Sequence, residues 1–226
     1  MQIVDLFAGP GGWSEGLSLL NFAELGIESD EVACQTRRAA GHSTVEADVA
    51  SLDPGEFEAD GLIASPPCQA FSAAGKRSGD KHIPALLTAV LARDWSVRPD
   101  PDPRVWLPLE IGRWQEALDP DWICLEQVPR VLPLWEAYGE LFASLGYMAW
   151  VGKLNAADYG VPQTRTRAFL IASKTRTVHA PPPTHAKEPD GMFSLEPWVT
   201  AGEALGLDDV SLGFPRKDDQ GTSPTG

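Results

Sequence analysis

Short apolar runs alternate with stretches of helical spacing along most of this chain. Ile3-Val4-Asp5-Leu6-Phe7 reads as an apolar strand, Ala8-Gly9-Pro10-Gly11-Gly12 as a glycine-rich turn, and the residues through Leu17 as a helix. Ala23–Glu28 is a second short strand ending on Glu28, and Val45–Val49 a third that places Asp48 at its end. Gly61-Leu62-Ile63-Ala64 is a fourth, stopped by Pro66 and Pro67 because proline fixes φ and withholds a backbone donor. Apolar positions recur at helical spacing in 83–95 (Leu86, Leu87, Val90, Leu91), 105–118 (Leu109, Ile111, Trp114) and 131–145 (Leu132, Leu134, Leu141, Leu145). Trp122–Leu125, Tyr147–Leu154 and Ala168–Ala172 complete the set of strands. Strands alternating with helices predict an α/β protein with a doubly wound sheet, assigned to residues 1–175. A long loop over 70–104 interrupts the alternation and carries its own helix, reading equally as a mobile lid or a static insertion. A proline-rich extension with a short helix is expected over 176–212, and a disordered tail over 213–226.

The chemistry begins at Ser65-Pro66-Pro67-Cys68-Gln69-Ala70-Phe71-Ser72, which holds a thiol on a constrained loop after a strand. That is the sheet edge at which open α/β folds bind ligands. Taken alone, Cys68 is equally a small buried hydrophobe. The glycine-rich turn lets backbone approach a ligand closely, although such turns also serve dinucleotides, phosphates or tight packing. Asp5 argues against a phosphate cradle and suits a ligand with an ammonium or sulfonium group. Glu28 sits where a carboxylate accepts from ribose hydroxyls, and is as readily a solvated loop acid. Asp48 is placed to accept from an adenine amino group, so that acids at adjacent strand ends outline a nucleoside pocket. Arg165 and Arg167, at alternate positions leading into Ala168–Ala172, share one face.

Four segments carry a family resemblance: Asp5-Leu6-Phe7-Ala8-Gly9-Pro10-Gly11-Gly12; Pro67-Cys68-Gln69 with Phe71-Ser72; Trp122-Ile123-Cys124-Leu125-Glu126-Gln127-Val128-Pro129; and Leu154 to Arg167, with its Gln163-Thr164-Arg165-Thr166-Arg167 end. Together and in this order they resemble the cytosine-5 DNA methyltransferases, from Ile3 to about Ser173. The resemblance implies a Rossmann-like class I methyltransferase: a mostly parallel seven-stranded sheet with Tyr147–Leu154 antiparallel to its neighbours. It implies S-adenosyl-L-methionine as cofactor, held by Asp5, Phe7, Ala8, Gly9, Gly11, Gly12, Glu28, Asp48, Val49 and Pro67. Cys68 is implied as the thiolate that adds to ring carbon 6 of cytosine, helped by nearby positive charge. Glu126 is implied as the acid at ring nitrogen 3, with apolar Trp122–Leu125 raising its pKa by desolvation. Arg165 is implied to hold the base carbonyl and support the nucleophile, with Arg167 as a structural or phosphate contact. Gln69, Ser72 and Gln163 are implied substrate contacts. Alternatives stay open: a catalytically inactive or regulatory cofactor-binding remnant, an enzyme acting on RNA, or transfer of another one-carbon unit.

Charge changes the picture of partners. The 226-residue chain carries a formal net charge of −14, whereas a protein that grips a duplex needs a basic surface to neutralise phosphates. Lys76, Arg77, Lys81 and Arg130 outline a small positive rim, or are individually just surface charges. Full-length members of the resembling family continue into a target-recognition region, and some divide their chain near this point. The expected partners are therefore double-stranded DNA with a flipped cytosine and a second protein subunit supplying target recognition. No apolar stretch of membrane-spanning length and no signal pattern is present, which points to a soluble, cytoplasmic protein with no membrane partner. Cys34, Cys68 and Cys124 lack metal or disulfide spacing, so no metal is expected, and Cys34 and Cys124 read as packing residues. Gln127 stands where the family usually has Asn.

Overall fold

Short runs rich in β-branched, leucine and aromatic residues form the strands, and the computed structural model, which describes residues 1–72, 79–189, 191 and 195–207, places seven of them in one sheet. In chain order the elements are β1 (Ile3–Leu6), α1 (Gly12–Ser18), β2 (Leu25–Glu28), α2 (Glu31–Ala39), β3 (Ser43–Glu46) and β4 (Gly61–Ala64). Then follow α3 (Ile83–Ala92), α4 (Pro103–Trp106), α5 (Glu110–Leu118), β5 (Trp122–Gln127), α6 (Leu132–Ser144), β6 (Met148–Asn155) and β7 (Thr166–Ser173). The sheet has seven strands in the order β3-β2-β1-β4-β5-β7-β6. β3, β2, β1, β4 and β5 pair in parallel, while β7 runs antiparallel to β5. The α/β, mostly parallel, seven-stranded architecture expected from the sequence is thus the one observed.

Alternation along each strand sends one set of side chains to each face. Val4, Leu6, Leu62, Ala64, Ile123 and Leu125 are fully buried on one face, in a single core with Leu86 and Val90 of α3, Trp114 of α5 and Tyr138 and Phe142 of α6. Each such large side chain contributes roughly 1.5–3 kcal/mol of burial. The other face carries Asp5, Cys124 and Glu126, with Ile171 paired opposite Cys124 and Phe169 opposite Glu126.

The helix expected within the long loop is therefore core. Leu86, Ala89 and Val90 are buried, and Arg93, in the left-handed region at φ 55°, ends α3. The continuous helix expected over 105–118 is broken, with α4 giving way to a tight 3-10 turn at Leu107–Leu109 before α5. Pro108 explains the break, since it has no N–H to continue the ladder.

Contacts divide the chain into two units. The larger comprises Met1–Leu154 with Thr166–Pro182, the smaller Asn155–Arg165 with the segment from Pro183 onward. Within the smaller unit Asp158 is the hub: its carboxylate accepts from Trp198 Nε1 at 3.0 Å and its carbonyl from Thr184 N–H at 2.9 Å. It also holds the two-residue strands β8 (His185–Ala186) and β9 (Glu196–Pro197), and a short helix α7 (Ala201–Ala204) started by a Thr200–Glu203 capping box. The tail expected to be disordered lies outside the described residues. Among the described residues no helix is long and apolar enough to cross a membrane.

Replacing Leu86 by Ala should lower global stability by about 2–5 kcal/mol, the usual cost of a core truncation, in urea unfolding followed by far-UV circular dichroism. A loss below about 1 kcal/mol would return α3 to the lid reading.

Candidate active site

The chain crosses over between β1 and β4, so the helices after these strands lie on opposite sides and a crevice opens at their C-terminal ends. There a cleft of about 220 Å³ is lined by Phe7, Ile27, Glu28, Ser29, Ala47, Asp48, Val49, Ser65, Pro67, Gln69 and Leu107. Phe7, Glu28, Asp48, Val49 and Pro67 were expected to face a nucleoside cofactor; Gln69 was expected at the substrate. Ser65, Ser29 and Leu107 were not foreseen. Ser65 precedes the diproline and was within reach of a closer reading. Leu107 arrives from beyond α4, and nothing local in the sequence announces it.

Glu28 is pre-oriented. Its Oε1 accepts the Ser29 and Asp30 amides at 2.7 and 2.8 Å, while Oε2 accepts Gly9 N–H at 2.8 Å. Asp48 sits beyond β3 rather than at its end. It caps the turn Val49–Ser51, with Oδ1 accepting Ala50 N–H at 2.9 Å, because a short acceptor side chain satisfies the free amides of a turn better than a ladder position. The wall beneath is held by α5: Arg113 Nη2 donates to the Val49 carbonyl at 2.9 Å and Nη1 to that of Leu52 at 3.0 Å. Phe7, a non-glycine residue at φ 59°, turns the chain from β1 into the glycine-rich loop. Such backbone is costly outside glycine and concentrates at ligand sites. Gly11 takes φ 111° and caps α1, and a Cβ there would approach the His42 ring to 2.9 Å.

The Cys68 loop is fixed on both sides. Phe71 and Ser72 amides both donate to the Cys68 carbonyl, at 2.9 and 2.8 Å, and the buried Phe71 ring anchors the turn. Gly79 N–H returns to the Ala70 carbonyl at 3.0 Å. Gln127, the residue standing in place of Asn, bridges to the diproline: its Nε2 donates to the Pro66 carbonyl and its Oε1 accepts Val128 N–H, each at 2.6 Å. Its neighbour Glu126 is thereby coupled through one peptide to the loop of the thiol. Trp13 Nε1 donates to Ser65 Oγ at 2.9 Å, tying α1 to the start of that loop, and its ring meets Phe169 edge-on.

Arg167 lies beside Glu126, Nε to Oε1 3.0 Å, both about one-fifth exposed at 22%. The expected apolar surroundings of Glu126 are thus joined by a counter-charge. Arg165 and Gln163 belong to the smaller unit and are exposed; the Arg165 amide donates to Asn155 Oδ1 at 3.0 Å and its carbonyl accepts Ala156 N–H. Ser72, Gly11 and Gly12 are not among the cleft-lining residues. Ala8 is buried at the root of the loop.

Two other expectations take a different form. Of the positive rim, Arg130 is engaged by Asp80 at 2.9 Å, Lys81 is exposed, and Lys76 and Arg77 lie outside the described residues. Asp5 is fully buried below the cleft, and neither carboxylate oxygen has a hydrogen-bond partner among the described residues. Burial, with Glu24 nearby, pushes its pKa well above the ordinary value. Burial, with Asp5 and Glu126 on the same face, also pushes the Cys124 thiol up to about 12, in keeping with a packing role. No group of three or more potential metal ligands occurs among the described residues.

The profile of one family, described as C-5 cytosine-specific DNA methylase, matches residues 1–93 and 100–205. The chain belongs to the C-5 cytosine-specific DNA methylase family. It is 33% identical over 191 residues to the type II methyltransferase M.DdeI of Desulfomicrobium norvegicum, covering 77% of this chain and 41% of that protein. It is 29% identical to M.AquIA of a Picosynechococcus strain, covering 90% of this chain and 87% of that protein. It thus spans about half or less of relatives such as M.DdeI and M1.HphI, at 41% and 52% of their lengths. A crystal structure of a putative DNA modification methyltransferase encoded within an E. coli prophage superposes with TM-score 0.58 at 24% identity, over 91% of this chain and 54% of that one, which establishes the shared fold.

Because the folded-state pKa of Asp5 is raised, the native chain binds a proton that the unfolded chain releases. Its contribution to stability is intact below the ordinary carboxylate value of 3.8 and is lost as pH rises from there through the raised folded value. Asp5→Asn should therefore gain stability relative to wild type as pH rises above the ordinary carboxylate value, in parallel denaturation series. A difference independent of pH would place the ionised carboxylate in the fold.

Proposed function

We propose that this chain, as a cytoplasmic enzyme, transfers the methyl group of S-adenosyl-L-methionine to carbon 5 of cytosine in DNA through a transient Cys68 adduct. The reading is carried by the Gln127–Pro66 tie, which locks the Cys68 loop to the strand end bearing Glu126, next to a cleft already lined by Glu28 and Asp48. Family membership supplies the reaction class.

The cleft, lined by Glu28, Asp48, Val49 and Phe7, suits a nucleoside cofactor: Glu28 would accept from the ribose hydroxyls, Asp48 would accept from the adenine amino group, and Val49 and Phe7 would hold the base. The cofactor contributes an electrophilic methyl group. Cys68 Sγ, as thiolate, adds to carbon 6 of a cytosine flipped out of the stack. A sulfur–carbon bond forms, the ring π electrons shift toward nitrogen 3, and Glu126 delivers a proton there while the exocyclic amine is held. Carbon 5, now electron-rich, would accept the methyl group as its bond to the sulfonium sulfur breaks, the electron pair staying on sulfur and leaving S-adenosyl-L-homocysteine. Loss of the carbon 5 proton to solvent restores the double bond, expels the thiolate and returns the nitrogen 3 proton to Glu126. Arg167 balances the Glu126 charge in this cycle, with Gln69 and Ser72 as base contacts.

Target recognition is assigned to a second polypeptide. Support comes from the net charge of −14, which disfavours independent duplex binding. Trp122, Phe169 and Ile171 remain partly exposed on the sheet face opposite the core, and Leu19 and Leu20 at the end of α1 are 84% and 65% exposed. An apolar surface of this kind fits a protein partner.

Incubation with 5-fluorocytosine duplexes and S-adenosyl-L-methionine, alone and with polypeptides co-purified from the native host, should give a complex stable to denaturing electrophoresis. Cys68→Ser should abolish it. No adduct under either condition would favour the inactive remnant, and an adduct with RNA but not DNA would move the substrate assignment.

A further inference from the structure

Helix α2 ends on two adjacent arginines, and the structure treats them in opposite ways. Arg38 is about half exposed and pairs with Glu46, as expected for a cation at a helix C-terminus. Arg37 is fully buried. Its Nη2 donates to Glu24 Oε1 at 2.7 Å and to the Ser43 carbonyl at 3.2 Å, and its Nε to Thr44 Oγ1 at 3.3 Å. Its Nη1 donates to Ser14 Oγ at 3.0 Å and to the Ala8 carbonyl at 3.3 Å. Ser14 Oγ in turn donates to Glu24 Oε1 in a short hydrogen bond.

Two of these acceptors belong to the ends of the glycine-rich turn: Ala8 precedes Gly9, and Ser14 lies in the first turn of α1. The turn is also held from the side of β2, where Ala8 N–H donates to the Ile27 carbonyl at 3.1 Å and Gly9 N–H to Glu28. Gly26 makes room for the guanidinium, since a Cβ there would stand 2.0 Å from Arg37 Nη2 and 2.9 Å from the Ala8 Cβ. Buried ion pairs are seldom retained for stability, because desolvation offsets their attraction and apolar replacements of equal volume do as well. A planar fork that reaches both ends of one loop has geometric value that an apolar core lacks.

We propose that Arg37, oriented by Glu24, is a positioning residue for the cofactor: it clamps the Ala8 carbonyl and the Ser14 hydroxyl and so fixes the turn that follows Phe7, which lines the cleft. The inference rests on reading that cleft as the S-adenosyl-L-methionine site. Lysine in place of Arg37 keeps the charge on Glu24 but loses the second nitrogen that reaches Ala8 and Ser14. Stability and cofactor affinity should therefore separate in that variant.

The test is calorimetric titration of the full chain with S-adenosyl-L-homocysteine, alongside thermal unfolding without ligand. Arg37→Lys should unfold within a few degrees of wild type yet bind roughly ten-fold more weakly, as expected for loss of a supporting contact behind a binding loop. Ser14→Ala, a small change that leaves the Arg37–Glu24 pair intact, should weaken binding by a smaller factor in the same direction. The double variant Arg37→Met with Glu24→Gln removes both charges and should resemble Arg37→Lys in affinity. Wild-type affinity in folded Arg37→Lys and Ser14→Ala would overturn the positioning role and leave the cofactor reading standing. Affinity that merely follows the unfolding temperature across the set would also overturn it. No binding by wild type would overturn the cofactor reading and this inference together.

Discussion

Parallel pairing of β2, β1, β4 and β5 brings their C-terminal ends to one edge of the sheet, and the chemistry of the larger unit issues from that edge. Glu28 ends β2, Phe7 follows β1, Ser65 and the Cys68 loop follow β4, and Glu126 and Gln127 end β5. Register makes these neighbours: Leu6 pairs with Ile27 on one side and Ala64 on the other, and Ala64 with Leu125. A slip of a single residue in any pair would reverse which side chains face the core and dismantle the arrangement. The apolar face beneath, with Leu62, Ile123, Trp114 and Tyr138, holds that register.

The opposite face carries the functional polarity, and its cost in stability is visible. Asp5 is buried without a hydrogen-bond partner among the described residues, Glu24 and Arg37 are buried as a pair, and Phe7 holds a left-handed backbone. Unpaired buried carboxyls and strained turns are destabilising individually and persist where surrounding structure over-determines them. Here the determinants are the short hydrogen-bonded links from the glycine-rich turn to β2 and α2, and the Gln127 bridge to the diproline.

Much of this was legible in the sequence for physical reasons. Strands with a stop signal, such as Gly61–Ala64 before Pro66-Pro67, and amphipathic helices such as that around Leu134 and Leu141, were readable because a local pattern and a local terminator agree. The cleft-lining position of Glu28 was readable because strand ends in a doubly wound sheet converge, whereas Phe7, Val49 and Pro67 came from the family resemblance. What escaped depends on contacts between distant segments. Arg37 looks like any basic residue in a last helical turn, and only Gly26 across the sheet makes its burial possible. Leu107 reaches the cleft by way of the Pro108 break, and α3 was read as part of a loop although its Leu86 and Val90 join the main core. Asp48 was placed on a strand because Val45 and Val49 suggest one, whereas its own carboxylate prefers to cap a turn.

A crystal structure of the full chain grown with S-adenosyl-L-homocysteine tests the central claim most directly. The account predicts ribose hydroxyls within about 3 Å of the Glu28 carboxylate, the adenine beside Asp48 and Val49, and the thioether sulfur directed toward the Cys68 loop. Ligand bound away from the ends of β1 and β2, or seated there with its sulfur facing away from Cys68, would contradict it.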